Sequence, residues 1–184
     1  LINRLKLRQD IVRLPITEMG CAAGVSATIY AADLLKANPD KKIAVVAYES
    51  PTSTFQLEDF SMTNAVSSAI FGDGAACMIL GQTEEIRPAI IDTQMYHFYD
   101  ELHMMGFNLK NSGLHIVLDP EVPAKIEKHF PNIIFPFLEK NNINVNDTYR
   151  VNLSLSCSLT HSLTHSHDHC VSCRFVLSIC LHVW

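Results

Sequence analysis

The segment that most limits how this chain can fold is residues 22–35. Ala22, Ala23, Val25, Ala27, Ile29, Ala31, Ala32, Leu34 and Leu35 fall on nearly every side of a helix, leaving no broad polar face for water. A helix of that kind is buried between other layers rather than laid on a surface. The turn residues Asn38-Pro39-Asp40 follow, and residues 41–48, Lys-Lys-Ile-Ala-Val-Val-Ala-Tyr, read as a core strand. Helix, turn and strand in this order form the unit of a layered α/β fold.

Further along, residues 62–70 read as a helix, Phe71-Gly72-Asp73-Gly74 as a tight turn and residues 75–80 as a second buried strand. Asp73 reads as a turn-former through its side-chain hydrogen bonds. Residues 85–93 are expected to continue the same sheet, and a helix is expected to start at Val122 or Pro123 and end at His129. The expected result is a mixed sheet with interior helices.

A chain of 184 residues with 48% hydrophobic composition has material for one domain or a little more. Its formal charge of -5, with Lys and Arg scattered, argues against nucleic acid as a partner. No apolar run approaches the roughly 20 residues of a membrane span, so no membrane partner is expected. The opening Leu1-Ile2-Asn3-Arg4 has neither an initiating Met nor the apolar middle of a signal peptide, so a longer N-terminus and a cytoplasmic location are expected. Cys21 and Cys77 lie in the main body, while Cys157, Cys170, Cys173 and Cys180 crowd the end, unlike a secreted disulfide scaffold.

From Tyr149 the character changes. Residues 154–167 repeat Ser-Leu-Thr-His almost in register, with neither a helical nor a strand period. Residues 149–184 therefore read as a low-complexity tail without a packing plan. His167, His169, Cys170 and Cys173 are of types that zinc accepts, but one Cys-x-x-Cys inside a repeat is not the two spaced ligand pairs of a structural site. No metal site is expected.

The chemistry concentrates at Cys21, in Glu18-Met19-Gly20-Cys21-Ala22-Ala23-Gly24. Unpaired N–H groups and the positive end of a helix dipole favour a thiolate at such a place. Gly20 permits a sharp turn, and Ala22, Ala23 and Gly24 leave room for a carbonyl beside the sulfur. From this heptad alone Cys21 reads more readily as a small apolar filler than as a nucleophile. Cys77, in a strand with apolar flanks, is expected to be the less reactive thiol.

Four stretches in order resemble the type III polyketide synthases, the chalcone and stilbene synthase family of thiolase-like acyltransferases. They are the Cys21 heptad; Glu49-Ser50-Pro51-Thr52-Ser53-Thr54-Phe55; Ala69-Ile70-Phe71-Gly72-Asp73-Gly74-Ala75-Ala76; and Gly113-Leu114-His115-Ile116-Val117-Leu118-Asp119-Pro120-Glu121-Val122-Pro123. The Phe-Gly-Asp-Gly-Ala-Ala turn is shared with ketoacyl synthase III; the last stretch is specific to the polyketide synthases. The resemblance runs from Leu1 to about Asp147.

It implies an α/β, thiolase-like layered fold (αβαβα), incomplete in this chain. Residues 1–84 would be the C-terminal part of the first half, residues 85–148 the start of the second, and residues 149–184 an unrelated tail. It further implies a homodimer that loads an acyl group from an acyl-CoA thioester onto Cys21 and extends it by decarboxylative condensation with malonyl-CoA. Both thioesters are substrates, and no resident cofactor is implied. Phe71 falls at a gatekeeper between the CoA tunnel and the cavity, Thr54 at a cavity-lining position, and Ile116 where the plant enzymes carry a second gatekeeper Phe.

The family's catalytic His, in a His-Pro-Gly-Gly segment, and its Asn are absent from this chain, and the repetitive tail stands where the first would begin. An inactive fragment, a gene-model artefact or a ketoacyl synthase III-like enzyme are the alternatives. His97, His103, His115 and His129 read as surface or satisfied core residues.

Overall fold

The computed structural model describes residues 1–144 except Glu18 and Ile86, together with the backbone of residues 175–183. The Ser-Leu-Thr-His repeat and the zinc-type ligands at 167–173 lie outside the described residues. A short helix α1 (Ile2–Leu5) opens the chain, and a 3-10 turn (Gly20–Ala22) leads into α2 (Ala23–Ala37). Asn38 ends α2: its backbone N–H bonds to the Leu35 carbonyl at 3.2 Å, its side chain to the Leu34 carbonyl at 3.1 Å, and Pro39 follows.

Strand β1 (Lys42–Glu49) pairs antiparallel with β2 (Gly74–Gly81), from Lys42 opposite Gly81 to Glu49 opposite Gly74. Side chains alternate across a sheet. Ala44, Val46, Tyr48, Ala75, Cys77 and Ile79 share one exposed face, and Val45 is buried on the other, where α2 runs. Between these strands lie a 3-10 turn (Pro51–Thr54) and α3 (Met62–Ile70), capped by Ser61, whose hydroxyl accepts from the Asn64 N–H at 3.2 Å.

Strand β3 (Ala89–Phe98) runs on the other side of α2 and pairs in parallel with β6 (Phe175–Val183). Met95 packs against Ala22, Val25 and Ile29 of the α2 layer, whereas Phe98 joins the core built by α4 (Val122–Lys140). Three residues apart on a strand, Met95 and Phe98 point to opposite faces, so β3 is an internal layer. The layers run β1–β2, α2, β3–β6, α4. A hairpin of β4 (Met105–Lys110) and β5 (Gly113–Leu118), closed by the two-residue loop Asn111-Ser112, lies against α3.

Five expectations need correction. Residues 85–93 do not extend the first sheet; β3 begins only at Ala89, after Pro88, and belongs to a second sheet with α2 between the two. Instead of one mixed sheet, the described residues form three two-stranded ones. Part of the tail, residues 175–183, is a strand. Helix α2 is not covered all round, because Tyr30 and Leu34 remain exposed on the side that neither sheet reaches.

The helix expected to stop at His129 continues to Lys140, with Pro131 and Pro136 inside it. Each internal proline removes a backbone hydrogen bond and costs about 3 kcal/mol. Ile133, Ile134, Phe137 and Leu138 are all buried with Phe98, and each contributes about 1.5–3 kcal/mol. Tertiary packing thus outweighs the local bias against helix at Phe130, the residue before Pro131.

Candidate active site

Gly20 has φ +48°, in the left-handed region that residues with a Cβ rarely adopt, and a Cβ there would meet no neighbour within 4 Å. The demand for glycine is therefore conformational rather than steric. This bend turns the chain into the Gly20–Ala22 turn, whose Ala22 N–H bonds to the Met19 carbonyl at 3.2 Å, and directly into α2. Cys21 is half-buried at the N-terminal end of that helix, beside buried Ala22, and the backbone of β6 passes the turn. Cys77 is exposed on the open face of β2. The more accessible thiol is thus Cys77, and the contrast expected between the two rests on their electrostatic settings.

Thr54, Phe71 and Ile116 lie on a second group of elements. Because Glu49 is paired with Gly74, the segments leaving the end of the first sheet, 50–54 and 71–73, come together. There the Asp73 carboxylate accepts from the Thr52 N–H at 3.0 Å and the Thr52 hydroxyl at 2.5 Å. These bonds hold the Asp73 carboxyl below its ordinary range, the hydroxyl bond having the larger effect. Asp73 therefore clasps a segment 21 residues away instead of merely closing its own turn. Antiparallel pairing of β1 and β2 is the signal that could have revealed it.

Half-buried Thr54 donates its hydroxyl to the Pro51 carbonyl at 3.0 Å. Gln56 ties this turn to the hairpin, donating to the Leu114 carbonyl at 3.0 Å and approaching the Thr54 carbonyl at 3.3 Å. Half-buried Ile116 lies on β5 opposite Phe107, and half-buried Phe71 ends α3 with its N–H on the Ser67 carbonyl at 2.9 Å. Thr54 lies on a turn and Phe71 at the end of a helix that each adjoin β5, the strand of Ile116, while Cys21 sits on a turn adjoining α2 and β6. A concavity of about 640 Å³ lined by Ile2, Asn3, Lys6, Leu7, Arg8 and Arg13 shares no residue with either group.

His129 meets the Phe98 ring edge-on at 5.4 Å, as a core residue should, and His103 is exposed 3.8 Å from Glu101. His115 departs from the expectation of a satisfied position, because its buried Nδ1 has no hydrogen-bond partner. Among the described residues, no group of His, Cys, Asp and Glu is arranged to hold a metal, and no helix is long and apolar enough to cross a membrane.

Comparison with known proteins places this geometry in a family. Residues 1–84 match the family described as chalcone and stilbene synthases, N-terminal domain. The chain is 30% identical over 155 residues to a putative chalcone synthase of Bacillus subtilis, an alignment covering 80% of this chain and 42% of that protein. It is 28% identical to 1,3,6,8-tetrahydroxynaphthalene synthase of Streptomyces peucetius, over 78% of this chain and 39% of that one. The crystal structure of 1,3,6,8-tetrahydroxynaphthalene synthase from Streptomyces coelicolor, a bacterial type III polyketide synthase, superposes with a TM-score of 0.73 at 25% identity, covering 79% of this chain and 42% of that one. The chain spans about two fifths of the length of these relatives. Residues 1–84 thus match the N-terminal domain of the chalcone and stilbene synthases, and with its sheet, helix, sheet and helix layers the chain is similar to type III polyketide synthases over about four fifths of its length and has their thiolase-like fold.

Proposed function

We propose that this chain carries the acyl-loading part of a polyketide synthase, with Cys21 as the nucleophile that takes an acyl group from an acyl-CoA thioester. The observation that carries the reading is the Gly20 bend, which sets the thiol at the start of a 15-residue helix. There the first turn's N–H groups and the helix dipole favour thiolate and the oxyanion of a tetrahedral intermediate. Thr54, Phe71 and Ile116 are the positions assigned to the substrate cavity, and the aliphatic Ile116 gives that cavity a shape different from one walled by phenylalanine. The family match ending at residue 84 supports a division there, with residues 85–148 opening the second half. Extension by malonyl-CoA, a homodimer and a cytoplasmic location belong to the same reading, and it calls on no resident cofactor.

Loading and condensation make different demands. A thiolate can attack a thioester unaided, but decarboxylation leaves an enolate that needs positioned donors, and losing one such donor costs about a hundred- to a thousandfold. The 184 residues hold no His-Pro-Gly-Gly segment. The test incubates this chain with radiolabelled acyl-CoA, maps the label, and then adds malonyl-CoA beside a version continued through such a segment. Label is expected on Cys21, with little or no polyketide from the shorter chain. Label on Cys77 instead would count against the nucleophile, and equal turnover of the two versions would refute the division of labour.

A further inference from the structure

Three side chains remote in function from Cys21 stand in line at the hairpin. Ser112, exposed in the loop between β4 and β5, has its Oγ 2.8 Å from Nε2 of His115. On the opposite side of the ring, Nδ1 faces Oδ2 of Asp59 at 3.5 Å. The His115 side chain is 15% exposed and that of Asp59 29%. The hydroxyl is accessible while its base is sheltered, the order that a serine nucleophile requires.

The surrounding contacts hold these groups in register. Gln56 donates to the carbonyl of Leu114, next to His115, at 3.0 Å. Asn64 donates to the carbonyls of Gln56 at 2.9 Å and Asp59 at 2.7 Å, so the loop bearing the acid is tied to the strand bearing the imidazole. The Ser61 N–H bonds to Asp59 Oδ1 at 2.9 Å and is the main reason that the Asp59 carboxyl lies below its ordinary range, keeping it ionised. The separation of 3.5 Å exceeds that of a good N–H···O bond. A buried N–H left unmade costs about 1–3 kcal/mol, so the ring gains by closing on Asp59, and catalytic hydrogen bonds commonly tighten only with substrate present.

We propose that Ser112, His115 and Asp59 form a second acyl-transfer site, of the serine type, that takes small activated esters and thioesters. His115 Nε2 accepts the Ser112 proton as Oγ bonds to the carbonyl carbon, and the bond to the leaving group breaks with the electron pair departing on that group. The proton on Nε2 goes to the leaving group, or to solvent when the leaving group is a stable anion. Water then attacks the acyl-serine, His115 takes its proton and returns it to Ser112 Oγ, and the carboxylic acid is released. Asp59, facing Nδ1, holds the ring in the tautomer with its proton on that nitrogen.

The test uses the 184-residue chain carrying Cys21→Ala, so that failure here is separate from failure of the loading reading. It is treated with p-nitrophenyl acetate and with a fluorophosphonate probe, and adducts are mapped by mass spectrometry. An adduct on Ser112 and release of p-nitrophenolate are expected. Ser112→Ala, an exposed loop substitution whose fold is checked by circular dichroism, should abolish the adduct and the release that depends on it. His115→Gln should slow release by about a hundredfold or more, the usual range for a general base. Absence of a Ser112 adduct, or unchanged release in Ser112→Ala or in folded His115→Gln, would overturn the proposal.

Discussion

The two ends of the layered stack are finished differently. At one end, α4 closes on β3: Phe137 is 1% exposed, surrounded by Phe98, Ile133, Ile134 and Leu138, and Asp92 of β3 grips Lys140 and Asn141 at the helix terminus. At the other end, the outer face of β1–β2 is open, with Tyr48 73% and Ile79 72% exposed, although its residues are as apolar as those of the inner face. A near-continuous apolar strand is the pattern of a sheet covered on both sides. Among the described residues only the α2 side is covered. An apolar composition shows that a surface is suited to burial; which element covers it is decided by the rest of the fold.

The largest expected effect lies at the closed end. Phe137→Ala should lower unfolding stability by about 3–5 kcal/mol, read from the denaturant midpoint at unchanged slope. A loss below about 1 kcal/mol would mean that α4 is not packed as described. The Asp92 contact should give a smaller, pH-dependent effect. Its carboxyl is lowered from 3.8 to about 2, first by the Lys140 hydrogen bond, then by Asn141, with the Thr93 N–H adding to it. Because the folded value is depressed, this stabilisation is complete above about pH 4 and is lost as pH falls through about 2. Discounted for solvent screening, it amounts to ~1 kcal/mol. Asp92→Asn should therefore be less stable than the parent at pH 6, with the gap closing as pH falls through about 2, and a gap independent of pH would exclude the linkage. At the open end, Ile79→Thr should change stability by less than about 0.5 kcal/mol in the isolated chain. A cost of 2 kcal/mol there would show that the outer face is covered in solution.

The same contrast explains what the sequence made legible. Helix α2, strand β1 and helix α3 were readable because local signals and tertiary packing agree there: Asn38-Pro39 ends one helix, and Ser61 caps another. The length of α4 was hidden because its two prolines point locally to a boundary that four buried side chains override. The partner of β3 was hidden because pairing across α2 leaves no mark in the residues around Pro88. At the candidate site, Cys21 and its glycine were visible as a motif. The Thr52–Asp73 clasp and the Ser112–His115–Asp59 line depend on which segments meet in space, and no spacing within a single stretch encodes that.

The Thr52–Asp73 clasp bears on how this protein responds to change. Positions 54 and 71 lie on two turns fastened by a shared carboxylate, so neither can be re-sculpted alone. Substitutions at contacting or network-linked sites couple by about 0.5–3 kcal/mol, whereas distant ones add. A library that varies Thr54 and Phe71 one at a time will therefore undersample the shapes accessible here. The productive combinations are epistatic, and a change at one turn can be accepted or rejected according to what the other already carries. For evolution as for engineering, the unit of variation at this end of the sheet is the pair of turns.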